Sequence, residues 1–181
     1  MLVPMRKLIL VTAAVAGLTA FPRSASAGFL LEGSVGTGAQ LDPSVERTPV
    51  NVMLAPGWGF AGLLKLELGL LGNLGDVQNS KFDLELRPMV VISPPIVPIY
   101  LRAIFAVQNL IEGPTTYAYG GALGLSFSLF GAGVFVEAGV LPRNVKVDVV
   151  TNIPVVGTAA HATRDEFRWF AEGRLGAFYE F

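Results

Sequence analysis

The sequence predicts an all-β protein: an antiparallel up-and-down transmembrane β-barrel of eight strands, or ten if the longest connection hides a further pair. Three observations carry the prediction. Period-two alternation of apolar and polar residues recurs from about residue 29 to the last residue. The composition is 52% hydrophobic, yet after the first 27 residues no apolar run is long enough for a membrane helix. Every Asp, Glu, Lys and Arg beyond that point falls in a connection or on the second, less apolar face of its strand. Only a closed barrel lets strands cross lipid, because each backbone N–H and C=O must find a partner there.

The elements follow in order. Arg6 and Lys7 precede an apolar stretch, Leu8 to Phe21, and Ala25-Ser26-Ala27 presents the small residues at which a signal peptidase cuts. Residues 1–27 therefore read as a cleaved signal peptide and 28–181 as one barrel domain. An apolar stretch of 14 residues is short of the roughly 20 that span a bilayer. The leader takes Arg6, Lys7 and Arg23 from the 13 basic residues, leaving 10 against 14 acidic. That balance gives no nucleic-acid footprint. The absence of cysteine excludes a disulfide scaffold and a thiolate metal site.

Strands are expected at about 29–40, 50–60, 62–71, 81–92, 96–108, 116–129, 132–141 and 166–181. In the first, Phe29, Leu31 and Val35 oppose Glu32, Ser34 and Gly36. In the third, Leu64, Leu66, Leu68 and Leu70 oppose Lys65, Glu67 and Gly69. The fourth sets Phe82, Leu84, Leu86, Val90 and Ile92 against Lys81, Asp83, Glu85 and Arg87. The fifth sets Ile99, Leu101, Ala103, Phe105 and Val107 against Tyr100, Arg102, Ala106 and Gln108. The sixth places Tyr117, Tyr119, Leu123, Leu125, Phe127 and Leu129 opposite Ala118, Gly120, Ala122, Gly124, Ser126 and Ser128. The seventh places Val134, Val136, Ala138 and Val140 opposite Phe135 and Glu137. Short connections (around Ala61, Ser93-Pro94-Pro95 and Phe130-Gly131) alternate with longer ones at 41–49, 72–80, 109–115 and 142–165. Short periplasmic turns alternating with longer outer loops are the membrane-barrel arrangement.

Aromatic residues on the apolar face cluster near strand ends, among them Trp58, Phe60, Phe82, Tyr117, Tyr119 and Trp169, as interfacial girdles require. The charges of the other face nearly balance. Glu32, Glu67, Asp83, Glu85, Glu137, Glu172 and Glu180 stand against Lys65, Lys81, Arg87, Arg102, Arg168 and Arg174. A lumen filled by such a network is plugged.

The last strand ends Arg174-Leu175-Gly176-Ala177-Phe178-Tyr179-Glu180-Phe181. Its pattern at Arg174, Gly176, Tyr179 and Phe181 resembles the C-terminal insertion signal of bacterial outer-membrane barrels. With the seven preceding strands, residues 28–181 resemble the small eight-stranded barrels of the OmpA transmembrane-domain, OmpX and OmpW type. The resemblance implies export through the general secretory pathway and insertion into a Gram-negative outer membrane by the barrel-assembly machinery. It implies a monomer in contact with lipid and lipopolysaccharide.

Candidate chemistry is sparse, and neither catalytic residues nor a cofactor or metal site is expected. His161 is the single histidine; with Thr163 and Asp165 it invites comparison with lipid A-modifying barrels, but it falls in the longest loop among alanines. In that connection Val145, Val147 and Val149 alternate with Lys146 and Asp148. The seventh strand is therefore expected to continue above the membrane, turn near Pro154 to Gly157 and return. The sequence supports a non-enzymatic barrel acting through its outer loops or in membrane integrity. The alternatives are a narrow OmpW-like channel for small or hydrophobic solutes, then a lipid A-modifying enzyme.

Overall fold

The computed structural model describes residues 28–42, 45–74, 83–111, 115–152 and 159–181, with side chains in these ranges except at 145–165. The signal-peptide reading of residues 1–27, together with Lys81 and Phe82, lies outside the described residues. The strands are β1 (Gly28–Gln40), β2 (Glu46–Arg47), β3 (Asn51–Phe60), β4 (Leu64–Asn73), β5 (Leu84–Ile92), β6 (Ile99–Gln108), β7 (Thr116–Leu129), β8 (Ala132–Asn152) and β9 (Ala159–Glu180). β1 pairs antiparallel with β3, β3 to β9 pair antiparallel in sequence order, and β1 pairs with β9 from Leu30↔Glu180 to Gln40↔Phe170, so the sheet closes. The two-residue β2 folds back on the end of β1, at Ala39↔Arg47 and Gln40↔Glu46. The result is a closed barrel of eight long strands, with no helix among the described residues.

Alternation sets the two faces. Leu54, Leu68, Leu101, Leu123, Val136 and Leu175 point outward and are exposed, whereas Glu32, Arg87 and Arg102 point inward and are only 2–3% exposed. A water-soluble protein buries its leucines and exposes its charges. A continuous apolar belt around a charged interior is stable only with hydrocarbon outside.

Two hairpins need positive φ, and the chain supplies it in the same way. Phe130 and Gly131 (φ 52° and 84°) join the paired residues Leu129 and Ala132, as a two-residue primed turn demands. Ala61 and Gly62 (φ 53° and 65°) turn the chain after β3, where the Leu63 amide donates to the Phe60 carbonyl.

The boundaries depart from expectation in instructive places. β6 begins at Ile99, not at 96, because Pro98 has no N–H for the ladder; its carbonyl instead accepts from Ser126. β8 and β9 run past the 132–141 and 166–181 expected of the barrel wall, as expected of a seventh strand that continues beyond the membrane and returns. They pair without a break from Ala132↔Tyr179 to Asn152↔Ala159. β7 accompanies β8 only as far as Arg143, and β1 accompanies β9 only to Phe170, so a two-stranded ribbon projects beyond the barrel. The valine alternation at 145–149 belongs to this ribbon. The long connection thus adds no separate strand pair, and the count is eight, not ten. The expected tip at 154–157 lies outside the described residues.

Candidate functional site: the ion-paired lumen

The barrel axis is crossed by salt bridges between strands that face each other. In barrel order β1 is four strands from β6, and β5 is four from β9, so each pair stands on opposite walls. Arg102 on β6 reaches across to Glu32 on β1 through two hydrogen bonds, 2.9 and 2.7 Å. The same guanidinium lies 3.5 Å from Glu67 on β4 and 3.3 Å from Glu137 on β8. Arg87 on β5 makes the matching span to Glu172 on β9, at 2.7 and 2.9 Å, and also binds Glu85 on its own strand. Such bidentate forks are the strong form of the guanidinium–carboxylate contact.

Arg174 on β9 links the two tiers, 3.4 Å from Glu137 and 3.6 Å from Glu172, and donates to Ser34 on β1. Towards the short-turn end Lys65 binds Glu180 and lies over the Phe178 ring. Towards the other end Arg168 donates to Gln40 and Glu166, at 3.2 and 3.1 Å. Asp83 sits half-buried just before β5, its carbonyl accepting from the Asn73 amide. The structure therefore joins Glu32, Lys65, Glu67, Glu85, Arg87, Arg102, Glu137, Glu172 and Arg174 in or beside the central network, with Arg168 nearer the mouth.

Three participants escape a reading of the charges alone. Arg143, beyond the expected end of its strand, faces inward on the continued β8, donates to Glu172 at 3.2 Å and stacks 4.0 Å over Phe170. Continuing the odd-numbered register Phe135, Glu137, Gly139, Leu141 past Pro142 would have found it. Tyr100 donates its hydroxyl to Glu137 at 2.8 Å, and Gln108 donates to Glu85 at 3.0 Å. Both lie on the polar face of β6, where an uncharged side chain gave no reason to single it out.

The lumen also holds apolar side chains. Met53, Leu71, Met89, Ile104 and Leu141 pack inside with Ala55, Ala106, Ala118 and Ala122, while Val91, Tyr100, Phe135 and Phe178 form a second cluster. Small residues make room for these rings more than for the charges. A Cβ at Gly124 would lie 2.2 Å from the Tyr100 ring, and one at Gly176 would lie 2.4 Å from the Phe135 ring. The remaining interior space includes a cavity of about 20 Å³ bordered by Glu32, Lys65, Glu67, Tyr100 and Arg102, room for one water.

Aromatic side chains mark both ends of the outer face. Trp58, Phe29, Phe181 and Tyr179 form a chain of contacts beside the chain ends, with ring centroids 6.2, 5.6 and 4.9 Å apart. Phe60 is exposed on the same strand as Trp58. Towards the other end Phe105 stacks on Tyr117 at 6.0 Å, Phe167 meets Trp169 edge-on at 5.7 Å, and Tyr119 is exposed. His161 stands on β9, paired with Val150, and not in a loop.

No protein-family profile and no curated protein sequence matches the chain. Solved structures do. Neisserial surface protein A is similar over 86% of this chain and 99% of its own, with a TM-score of 0.51 at 12% identity. A major outer membrane protein from Thermus thermophilus aligns over 86% of this chain and 100% of its own, with a TM-score of 0.49 at 16% identity. At such identities the first similarity speaks for the fold alone. Fold and faces together define a small membrane β-barrel.

Proposed function

We propose that this chain is a non-enzymatic, monomeric protein of the bacterial outer membrane, whose closed barrel carries its outer connections and contributes to membrane integrity. One observation carries the reading: Arg102 and Arg87 tie opposite walls together across the axis, each through a two-bond fork to a glutamate on the facing strand. A lumen held this way is a scaffold, not a conduit. The apolar belt and aromatic ends support a place in lipid, the N-terminal pattern supports export, and the C-terminal pattern supports insertion by the barrel-assembly machinery. Among the described residues the β8–β9 ribbon is the longest projection, and it is the part we assign to contacts with lipopolysaccharide or other surface partners.

Planar-bilayer recording of the purified barrel tests the proposal. No conductance steps are expected; a reproducible pore would overturn the plugged scaffold in favour of the narrow channel. Lipid A mass spectra are expected to stay unchanged on expression, with and without His161→Ala. A new lipid A species that depends on His161 would establish an enzyme instead.

A further inference from the structure

Among the described residues the lumen charges leave one carboxylate over. Lys65 with Glu180 is neutral, and Arg87 with Arg143 balances Glu85 with Glu172. What remains is Glu32, Glu67 and Glu137 against Arg102 and Arg174. Glu32 receives two short hydrogen bonds from Arg102, and Glu137 lies within 3.4 Å of both arginines and accepts the Tyr100 hydroxyl. Glu67 is held least well. Its Oε2 is 3.5 Å from Arg102 and accepts no hydrogen bond, although its side chain is 2% exposed. Glu67 also borders the cavity of about 20 Å³, which Ser93 and Ser126 line further along. A buried carboxylate without a compensating charge is too costly to persist. The missing positive charge therefore comes from outside the side chains.

We propose that the cavity beside Glu67 is a site for one small monovalent cation, a proton or a dehydrated alkali metal ion, held on the Glu67 carboxylate. Beside the carboxylate there is room for one water-sized occupant, which fits a proton or a bare ion held directly on Glu67. The charged and titratable groups around Glu67 are Glu32 from β1, Lys65 from its own strand, Tyr100 and Arg102 from β6, and Glu137 from β8. Lys65 is committed to Glu180, and Arg102 is divided among three carboxylates, so neither cancels the charge of Glu67.

The test uses the folded barrel in detergent micelles at neutral pH and has two arms. Infrared spectroscopy reads the carbonyl stretch of a protonated carboxylic acid. Thermal unfolding in sodium or lithium chloride, against N-methylglucamine chloride at equal ionic strength, reads an alkali ion. One of the two signals is expected in the wild type: the acid band identifies a proton, and a rise in Tm specific to the small cation identifies a metal ion. Glu67→Gln should abolish it, while Glu166→Gln, partly exposed at the mouth, should leave it in place. Glu67→Asp, which keeps the charge and moves it by one methylene, should shift the signal even if the Gln variant fails to fold. Neither signal in the wild type, or a signal unchanged in the Glu67 variants, overturns the proposal.

Discussion

Replacing Arg102 by Met removes the cation on which three carboxylates converge while keeping most of the side-chain volume. Arg102 makes two hydrogen bonds to Glu32, at 2.9 and 2.7 Å, and approaches Glu67 and Glu137 within 3.5 Å. All four side chains are 2–4% exposed, so water does not take over the lost contacts. Removing one partner of a buried ion pair costs about 3–5 kcal/mol, because the remaining charge is left uncompensated. The whole of that range is expected here, since Arg174 is the one other cation of the group and it already serves Glu137 and Glu172. Urea unfolding in micelles, followed by the fluorescence of Trp58 and Trp169, measures the loss. Arg168→Met is the control: the Arg168–Glu166 pair is partly exposed at the mouth, and its removal should cost no more than about 1 kcal/mol. The double variant Arg102→Met with Glu32→Gln should be less destabilised than the two singles added together. A loss for Arg102→Met no larger than that for Arg168→Met would refute the reading of the lumen as a desolvated network.

Other perturbations probe the wall and the turns. Leu68→Arg places a charge on the outer face at mid-strand and should cost about 2–4 kcal/mol in lipid-vesicle refolding; a neutral effect would refute the lipid-facing assignment. Gly176→Ala should destabilise by about 1–3 kcal/mol, because its Cβ meets the Phe135 ring at 2.4 Å and the Gly33 carbonyl at 2.6 Å. Ala61→Gly should stabilise by up to about 1 kcal/mol, since Ala61 holds a φ of 53° that glycine adopts without strain. The same urea titrations read the last two, and an opposite sign in either would remove its physical basis.

The fold was legible in the sequence because lipid leaves so little choice. Each strand had to alternate, and one misassigned step would have set a charge such as Glu67 or Arg87 against hydrocarbon. The direction of Leu66, Leu68 and Leu70 could therefore be read from the lysine and glutamate between them. What escaped lay where that signal is silent. Met53, Leu71, Met89 and Ile104 are as apolar as lipid-facing residues, so their inward position depends on register and not on character. Partner choice across the lumen was equally hidden, because β1 and β6, or β5 and β9, become opposite walls only once the sheet has closed. The continuation of the seventh strand was legible in its valine alternation, but Arg143 was assigned to the connection, whereas β8 carries it inward within its pairing with β9.

The geometry of these cross-lumen bridges bears on how the sheet finds its register. A slip by one residue turns a strand's whole inward set outward. On β4 it would drive Lys65 and Glu67 into lipid, and on β6 it would do so to Arg102. A lysine or arginine at the bilayer midplane costs about 2–4 kcal/mol, and less near the interface. The outer face alone would penalise such slips, but it does not distinguish slips of two residues, which keep leucines outward. The lumen does. A two-residue shift of β6 carries Arg102 away from Glu32 by about 7 Å along the strand, beyond reach of the fork it makes at 2.7–2.9 Å. The apolar belt therefore selects the face, and the arginine forks select the register within it. Both forks span walls that meet only through the β1–β9 closure, so the network gains its full strength when the barrel is complete and contributes little to an open sheet.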